Sequence, residues 1–148
     1  GERGWNRARA GSNIVMDKKV LALELAISAD SRYKFDRKKI RGGVLATLQE
    51  QGIKQPVVLS LSVVGERKIR DLEKKYFGED KVTDVLSFSQ MEGDRIPGEE
   101  ADKLVLGDVV VCYPMAKKQA LQFNRLLDDE IEFLVNHGVL HLLGIHHD

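Results

Sequence analysis

All four histidines of this 148-residue chain lie in its last twelve positions, in the segment HGVLHLLGIHHD. His137 and His141 are four residues apart within the strongly helical segment DDEIEFLVNHGVLHLL. This spacing places both side chains on one helix face, with β-carbons about 6 Å apart. Two imidazoles at that separation can reach one divalent metal ion, and zinc is a common occupant of imidazole sites.

A third ligand has to come from beyond the helix. If the helix continued, His147 would lie about 15 Å along the axis from His137 and roughly 80° off its face, and His146 would point to the opposite side. Gly144 can adopt the left-handed conformation that ends a helix, so that the chain folds back and brings His146 or His147 to the metal. Three neutral imidazoles leave one zinc position for water, which is typical of a catalytic site.

This histidine pattern has simpler interpretations. Histidine pairs four apart on a helix are often surface or packing residues, and a terminal HH can be the remnant of a purification tag. The glycine at the required position and the absence of histidine elsewhere in the chain favour metal binding.

Alternating strands and helices must position these ligands. Alternating apolar residues predict strands, while apolar residues three and four apart between capping residues predict helices. The strands are expected at 19–28, 57–64, 84–88 and 104–111, and the helices from the N-cap Asp36 to before Gly52, at 66–78, from Pro114 to about Asn124, and from the N-cap Asp128 to about Leu143. We therefore predict an α/β (α+β) fold with one small mixed four-stranded sheet packed with about four helices. The charged, Gly- and Pro-containing stretch 89–102 is expected to be a surface loop.

Composition limits the classes of protein. A chain of this length that is 43% hydrophobic can bury a real core in one domain. The single Cys112 excludes an intramolecular disulfide framework and is expected to be a small core residue. The apolar runs are too short to span a bilayer. Residues 1–15 have no apolar core of the signal-peptide kind, and we expect a disordered or vector-derived lead-in, followed by a single cytoplasmic hydrolase domain at 16–148.

The net charge is zero, but the charges are distributed unevenly. Residues 1–41 carry eleven basic and five acidic side chains, whereas residues 92–148 carry five basic and eleven acidic ones. An acidic C-terminal third around histidines suits a cation site, and a basic N-terminal third could face nucleic acid. Solvated surface charge remains the simpler alternative.

One known metal motif shares the histidine spacing. Residues 137, 141, 144 and 147 have the H-x-x-x-H-x-x-G-x-x-H spacing of metzincin proteases. Those enzymes carry a glutamate directly after the first histidine as general base, and Gly138 occupies that place here. They also need a downstream methionine turn, which the sequence to Asp148 does not contain. A metzincin-like zinc peptidase is therefore the second hypothesis.

Three blocks of the sequence resemble those of the YbeY family of metal-dependent endoribonucleases. HGVLHLLGIHH is similar to the signature H-G-x-L-H-L-x-G-Y-D-H, while TDVLSF (83–88) and LGDVVV (106–111) correspond to two further blocks. The resemblance implies a single-strand-specific endoribonuclease that matures the 3′ end of 16S rRNA and acts in ribosome quality control. Its partners would be single-stranded or ribosomal RNA and the small ribosomal subunit, with no membrane.

The resemblance also implies a set of site residues. One Zn²⁺ or another divalent transition metal would be held by His137, His141 and His147. Side chains that would line the cleft beside the metal, and are candidates for a catalytic role, are Thr83, Asp84 and Ser87. Thr83 and Asp84 could instead form only a turn ahead of a buried strand, and Asp108 could be an edge-strand position turned to solvent.

The chain departs from the family pattern at several positions. Ile145-His146 replaces Tyr-Asp, and Glu73 and Phe77 stand where the family has an asparagine and an arginine. Arg70 and Lys74, seven and three residues before Phe77, could bind substrate in place of that arginine. The alternative is that Phe77 packs in the core while both cations face solvent. A third hypothesis is therefore a catalytically weakened, zinc-containing ribosome-binding protein.

Overall fold

The computed structural model describes residues 22–90 and 103–145, which form four strands and four helices. The strands are β1 (Leu23–Ala29), β2 (Val57–Val64), β3 (Val85–Ser89) and β4 (Leu104–Cys112). The helices are α1 (Arg37–Glu50), α2 (Glu66–Phe77), α3 (Tyr113–Gln122) and α4 (Leu127–Leu142). The strands build one sheet in the order β1-β2-β4-β3. The first three strands in that order are parallel, and β3 runs antiparallel at the edge. The predicted α/β fold with a small mixed sheet is thus confirmed.

The central strand β2 shows how alternation builds the two sides of the sheet. Val57, Leu59, Leu61 and Val63 are buried and face the larger core, which also contains apolar residues of α1 and α4. Side chains alternate between the faces of a strand, so the intervening residues of β2 point to the other face. On that face lies a smaller cluster, in which Ile69 of α2 packs with Leu86 and Val110 of the sheet. The helices α4 and α2 therefore pack on opposite faces of the sheet.

Local capping signals set most helix ends. Asp36 caps α1 by accepting the backbone N–H of Lys39 at 3.1 Å, as predicted. Gly78 ends α2 with a φ of 70°, in the left-handed region that glycine adopts without strain. The prediction for Asp128 is wrong, because α4 begins at Leu127, two residues earlier than that cap requires, and Leu126 occupies its N-cap position. Asp128 accepts the backbone N–H of Asp36 at 3.0 Å instead, so its carboxylate joins the start of α1 to the start of α4.

Other predictions need smaller corrections. Among the described residues the first strand covers Leu23–Ala29, and positions 19–21 of the predicted strand lie outside them. β3 begins one residue later than predicted, and β4 extends to Cys112. The interpretation of Asp108 as an edge-strand residue is wrong, because β4 lies between β2 and β3. Asp108 accepts hydrogen bonds from Ser60 Oγ and from Gln90 Nε2. The lead-in at 1–15 and most of the loop, residues 91–102, lie outside the described residues.

Cys112 is fully buried in the smaller cluster, as predicted. Burial raises the pKa of its thiol. None of the described helices has both the length and the apolar character that crossing a bilayer requires.

Candidate metal centre on the last helix

The histidine pair lies on one face of α4. The ring centroids of His137 and His141 are 4.5 Å apart, with 40° between the ring planes. Both residues are half-buried. The predicted juxtaposition of two imidazoles is therefore present in the structure, at a separation that lets both rings face one ion.

Close contact at Gly138 fixes the distance between α4 and the sheet. A β-carbon added at Gly138 would lie 2.9 Å from Val109 Cγ1 and 3.1 Å from Ser87 Oγ. Only a residue without a side chain lets the helix backbone approach β3 and β4 this closely. Ser87 Oγ also donates a hydrogen bond to the carbonyl oxygen of Gly138, at 3.2 Å. The residue after the first histidine thus anchors the helix.

The helix ends where the sequence predicted. Gly144 has a φ of 86°, and the backbone N–H of Ile145 donates to the carbonyl of Leu140 at 2.9 Å. This is the hydrogen-bond pattern with which a left-handed residue ends a helix and redirects the chain. His146 and His147 lie outside the described residues, so the third ligand stays a prediction. Within the described ranges, no three His, Cys, Asp or Glu side chains converge as a metal site.

A mostly apolar cavity of about 410 Å³ adjoins the pair and is lined by Phe133, Asn136, His137 and Leu140. The ring of Phe133 lies 6.2 Å from that of His137. The side-chain carbonyl of Asn136 is buried and has no hydrogen-bond partner among the described residues. Two imidazoles, an apolar wall and room for a further ligand fit a borderline divalent metal such as zinc.

The candidate catalytic residues take different positions. Ser87 contacts α4 beside His137, through its hydrogen bond to Gly138. Asp84 is held against α3, because its carboxylate accepts a hydrogen bond from Gln119 Nε2 at 3.1 Å. Thr83 is half-buried just before β3. Of the three residues, Ser87 has a hydrogen bond to the residue next to His137. A catalytic role of the three residues stays a prediction.

The candidate substrate-binding cations lie on α2. Arg70 forms an ion pair with Asp80 at 3.5 Å, and both side chains are more than half exposed. Lys74 is exposed in the last turn of the helix. The interpretation of Phe77 as a core residue is wrong, because its side chain is 52% exposed. The helix ends at that residue, and the ring of Phe77 stacks on Phe88 of the edge strand.

Sequence reasoning missed the aromatic surface around this residue. Tyr76 and Phe77 both contact Phe88, the last residue of the TDVLSF block. The available signal was a Tyr-Phe pair placed just before the C-terminal glycine of an amphipathic helix. Glu73, at the other departure on this helix, is buried and only 5% exposed.

A groove larger than the cavity beside the histidines lies elsewhere in the described part of the chain. It has a volume of about 710 Å³ and is found at the carboxyl ends of β1 and β2, beside the start of α2. It contains none of the predicted site residues. Its cations are balanced by carboxylates, as in the ion pair of Arg32 with Asp30, which lowers the pKa of Asp30. Local charge therefore does not favour an anionic ligand in this groove.

Comparison with known proteins finds relatives that share one description. The family model described as Endoribonuclease YbeY matches residues 26–148. The chain is 38% identical over 110 residues to Endoribonuclease YbeY of Desulforamulus reducens, an alignment that covers 74% of this chain and 72% of the relative. It is 41% identical over 100 residues to Endoribonuclease YbeY of Pelotomaculum thermopropionicum, covering 68% and 65%. A solution structure of TM1509 from Thermotoga maritima matches with a TM-score of 0.54 and 27% identity, over 84% of this chain and 75% of that one.

Proposed function

The chain belongs to the endoribonuclease YbeY family, and we propose that it is itself a metal-dependent endoribonuclease that cuts single-stranded RNA. The biological role we propose is maturation of the 3′ end of 16S rRNA and ribosome quality control in the cytoplasm, with the small ribosomal subunit as partner. The observation that carries the proposal is the His137–His141 pair, 4.5 Å apart on a helix that is anchored to the sheet.

We propose that His137, His141 and His147 hold one Zn²⁺. A zinc ion so bound would lower the pKa of a water molecule and polarise a phosphoryl oxygen, as hydrolysis of a phosphodiester requires. Two features of the described residues support the proposal. The contact of Gly138 with β3 and β4 fixes the distance of both rings from the sheet, and apolar side chains, among them Phe133 with its ring 6.2 Å from that of His137, line the cavity beside the pair. A rigid and partly dry site strengthens interactions with developing charge.

The packing of Gly138 argues against the peptidase alternative. A metzincin needs a glutamate at this position as general base. Here the position faces Val109 and Ser87, with less than 3.2 Å for a β-carbon. A carboxylate side chain would have no room without displacing α4 from the sheet. The ribosome-binding alternative, in which the protein binds but does not cut, predicts binding to small ribosomal subunits without RNA cleavage.

Metal analysis and RNA cleavage test the proposal together. Protein purified without chelator should contain close to one zinc per chain. It should cut a single-stranded RNA but not the same sequence in a duplex, lose this activity in EDTA, and regain it when zinc is added. His137→Ala and His141→Ala should each lower zinc affinity by ~100-fold or more. Loss of a residue that only supports a ligand costs up to about 100-fold, and loss of the ligand itself should cost at least as much. Phe133→Leu, which leaves the imidazoles intact, is the matched control for local packing and should keep the zinc.

Three outcomes would contradict the proposal. The absence of metal together with no uptake of added zinc would exclude the metal site. Chelator-sensitive cleavage of unstructured protein, with RNA left intact, would favour the peptidase. Cosedimentation with small ribosomal subunits without any RNA cleavage would favour the binding protein.

A further inference from the structure

Three aromatic side chains form a surface at the end of α2. Tyr76 and Phe77 are 55% and 52% exposed, although they are adjacent in sequence and both apolar. Phe88 of β3 supports both, with ring centroids 5.1 Å from Tyr76 in an edge-to-face arrangement and 5.9 Å from Phe77 in a stacked one. We call Tyr76, Phe77 and Phe88 the aromatic platform.

The platform is a preformed surface for a flat ligand. Single exposed apolar residues are common on soluble proteins, but contiguous ones mark sites of interaction. Two exposed rings that rest on a third are restrained in orientation, so less conformational entropy is lost when a ligand stacks on them. Aromatic faces are the elements on which unpaired nucleic acid bases stack.

Charge around the platform favours a polyanion. Helix α2 carries five basic and three acidic side chains, of which Glu73 is buried. The two carboxylates that follow the helix, Glu79 and Asp80, are paired with Lys81 and Arg70. Lys74 and Lys75 occupy the last turn, and Lys75 Nζ lies 5.2 Å from the centroid of the Tyr76 ring. Lys75 Nζ lies over the Tyr76 ring itself, so aromatic rings and cations meet at this end of the helix, as they do in proteins that bind the bases and phosphates of a single strand.

The platform also connects to the histidine pair through the edge strand. Phe88 follows Ser87 in β3, and Ser87 donates its hydrogen bond to Gly138, next to His137. Neighbouring residues of a strand point to opposite faces, so the platform and the histidines lie on either side of β3. Among the described residues, no further strand pairs with the outer edge of β3. A flexible single strand could therefore pass around this edge from one site to the other.

We propose that Tyr76 and Phe77 form a base-stacking site for single-stranded RNA, at the place where the family resemblance implies an arginine instead of Phe77. This inference rests on the proposed function, because it takes RNA as the substrate. It extends that function by naming bases, rather than phosphates, as the groups that Phe77 recognises. A protein partner is the competing occupant, and the lysines beside the rings favour RNA over it.

The test measures RNA binding without cleavage. A fluorescein-labelled single-stranded octaribonucleotide is titrated with protein in EDTA, and anisotropy gives the Kd at several salt concentrations. Phe77→Ala should weaken binding by about 5- to 100-fold, the loss expected for one stacked base. Phe77→Tyr should bind like the wild type, and Phe77→Leu, which keeps apolar bulk without a ring, should bind like the alanine variant. The matched control is Phe123→Ala, since Phe123 is 54% exposed but lies at the end of α3.

Salt dependence and an abasic probe separate stacking from charge. Phe77→Ala should leave the slope of log Kd against log salt unchanged. Lys75→Ala should reduce that slope by about one, the amount expected for one lost phosphate contact. An abasic octamer should bind the wild type as weakly as the normal RNA binds Phe77→Ala, and Phe77→Ala should not weaken it further. Circular dichroism checks that each variant is folded.

Several results would overturn the inference. Phe77→Ala could bind the RNA as tightly as the wild type does, or Phe123→Ala could lose as much affinity as Phe77→Ala. The wild type could also bind the abasic octamer as tightly as the normal RNA. Normal RNA binding of Phe77→Ala with lost binding to small ribosomal subunits would assign the platform to a protein. If the wild type shows platform-dependent binding but never cuts, the proposed function fails and the inference stands. If it cuts but Phe77→Ala binds normally, only the inference fails.

Discussion

Replacing Gly138 by alanine tests whether contact with the sheet fixes the histidine pair. The added β-carbon would lie 2.9 Å from Val109 Cγ1 and 3.1 Å from Ser87 Oγ. The first distance is shorter than real β-carbon contacts, so an atom must move. Val109 is fully buried and β-branched, which leaves it little freedom to change rotamer. The helix backbone therefore has to move away from the sheet, and both imidazoles move with it.

Three contributions set the size of the effect. Alanine is favoured over glycine in a helix interior by about 0.8–1.0 kcal/mol. Overpacking of a well-packed site costs about 1–3 kcal/mol. Weakening the hydrogen bond from Ser87 to the Gly138 carbonyl costs a further ~0.5–1.5 kcal/mol. The opposing contributions leave a net loss of about 2 kcal/mol in the free energy of unfolding, with a range of about one and a half on either side.

A second glycine provides the matched control. Gly42 lies inside α1, and a β-carbon added there would meet no atom within 4 Å. Gly42→Ala should therefore stabilise the protein by about 0.5–1 kcal/mol, since only helix propensity changes. Urea unfolding followed by circular dichroism at 222 nm measures both variants. Zinc affinity should fall in Gly138→Ala and stay unchanged in Gly42→Ala.

The outcome that would refute this reasoning is equal stabilisation by the two alanines. A second test removes the obstructing methyl groups. In the Val109→Ala background, Gly138→Ala should cost less than it does in the wild type, because the new β-carbon then has room. Strict additivity of the two substitutions would show that Val109 does not restrain the helix.

Three further predictions concern single residues. His147→Ala should lower zinc affinity far more than His146→Ala, and isothermal titration that shows equal losses would mean that the chain folds back differently after the helix. Cys112 should resist thiol reagents at pH 7–8 until the protein unfolds, because burial raises its pKa and only the thiolate reacts. For the same reason its contribution to stability is full below the ordinary thiol pKa and declines as the pH rises towards the raised value, so Cys112→Ala should unfold with a weaker alkaline dependence than the wild type.

Features that depend on neighbours in sequence could be predicted well. The bounds of β2 follow from its alternation, and Asp36 and Gly78 act as caps through their own backbone neighbourhoods. The spacing of His137 and His141 belongs to the same class, because helix geometry alone brings the rings together.

Features that depend on tertiary packing could not be predicted. Asp128 is of a residue type that often caps helices, but its carboxylate accepts a hydrogen bond from the start of α1, which is distant in sequence. The order of the sheet, which puts Asp108 on an inner strand, is not encoded in any local pattern. The exposure of Phe77 likewise depends on where α2 crosses the sheet edge. Helix periodicity gives the face of a residue, but it does not say whether the facing element reaches that far.

The register of β3 joins the two halves of the candidate site. Ser87 pairs with Val109 and Phe88 with Asp108, so that Ser87 faces α4 and Phe88 faces α2. A slip of one residue would exchange the two side chains and break both contacts at once. Gly107 opposes such a slip, because it has a φ of 135° and a β-carbon there would collide with the backbone carbonyl of Phe88. The TDVLSF and LGDVVV blocks therefore act as one unit: the second sets the register with which the first presents a hydroxyl to α4 and an aromatic ring to the platform.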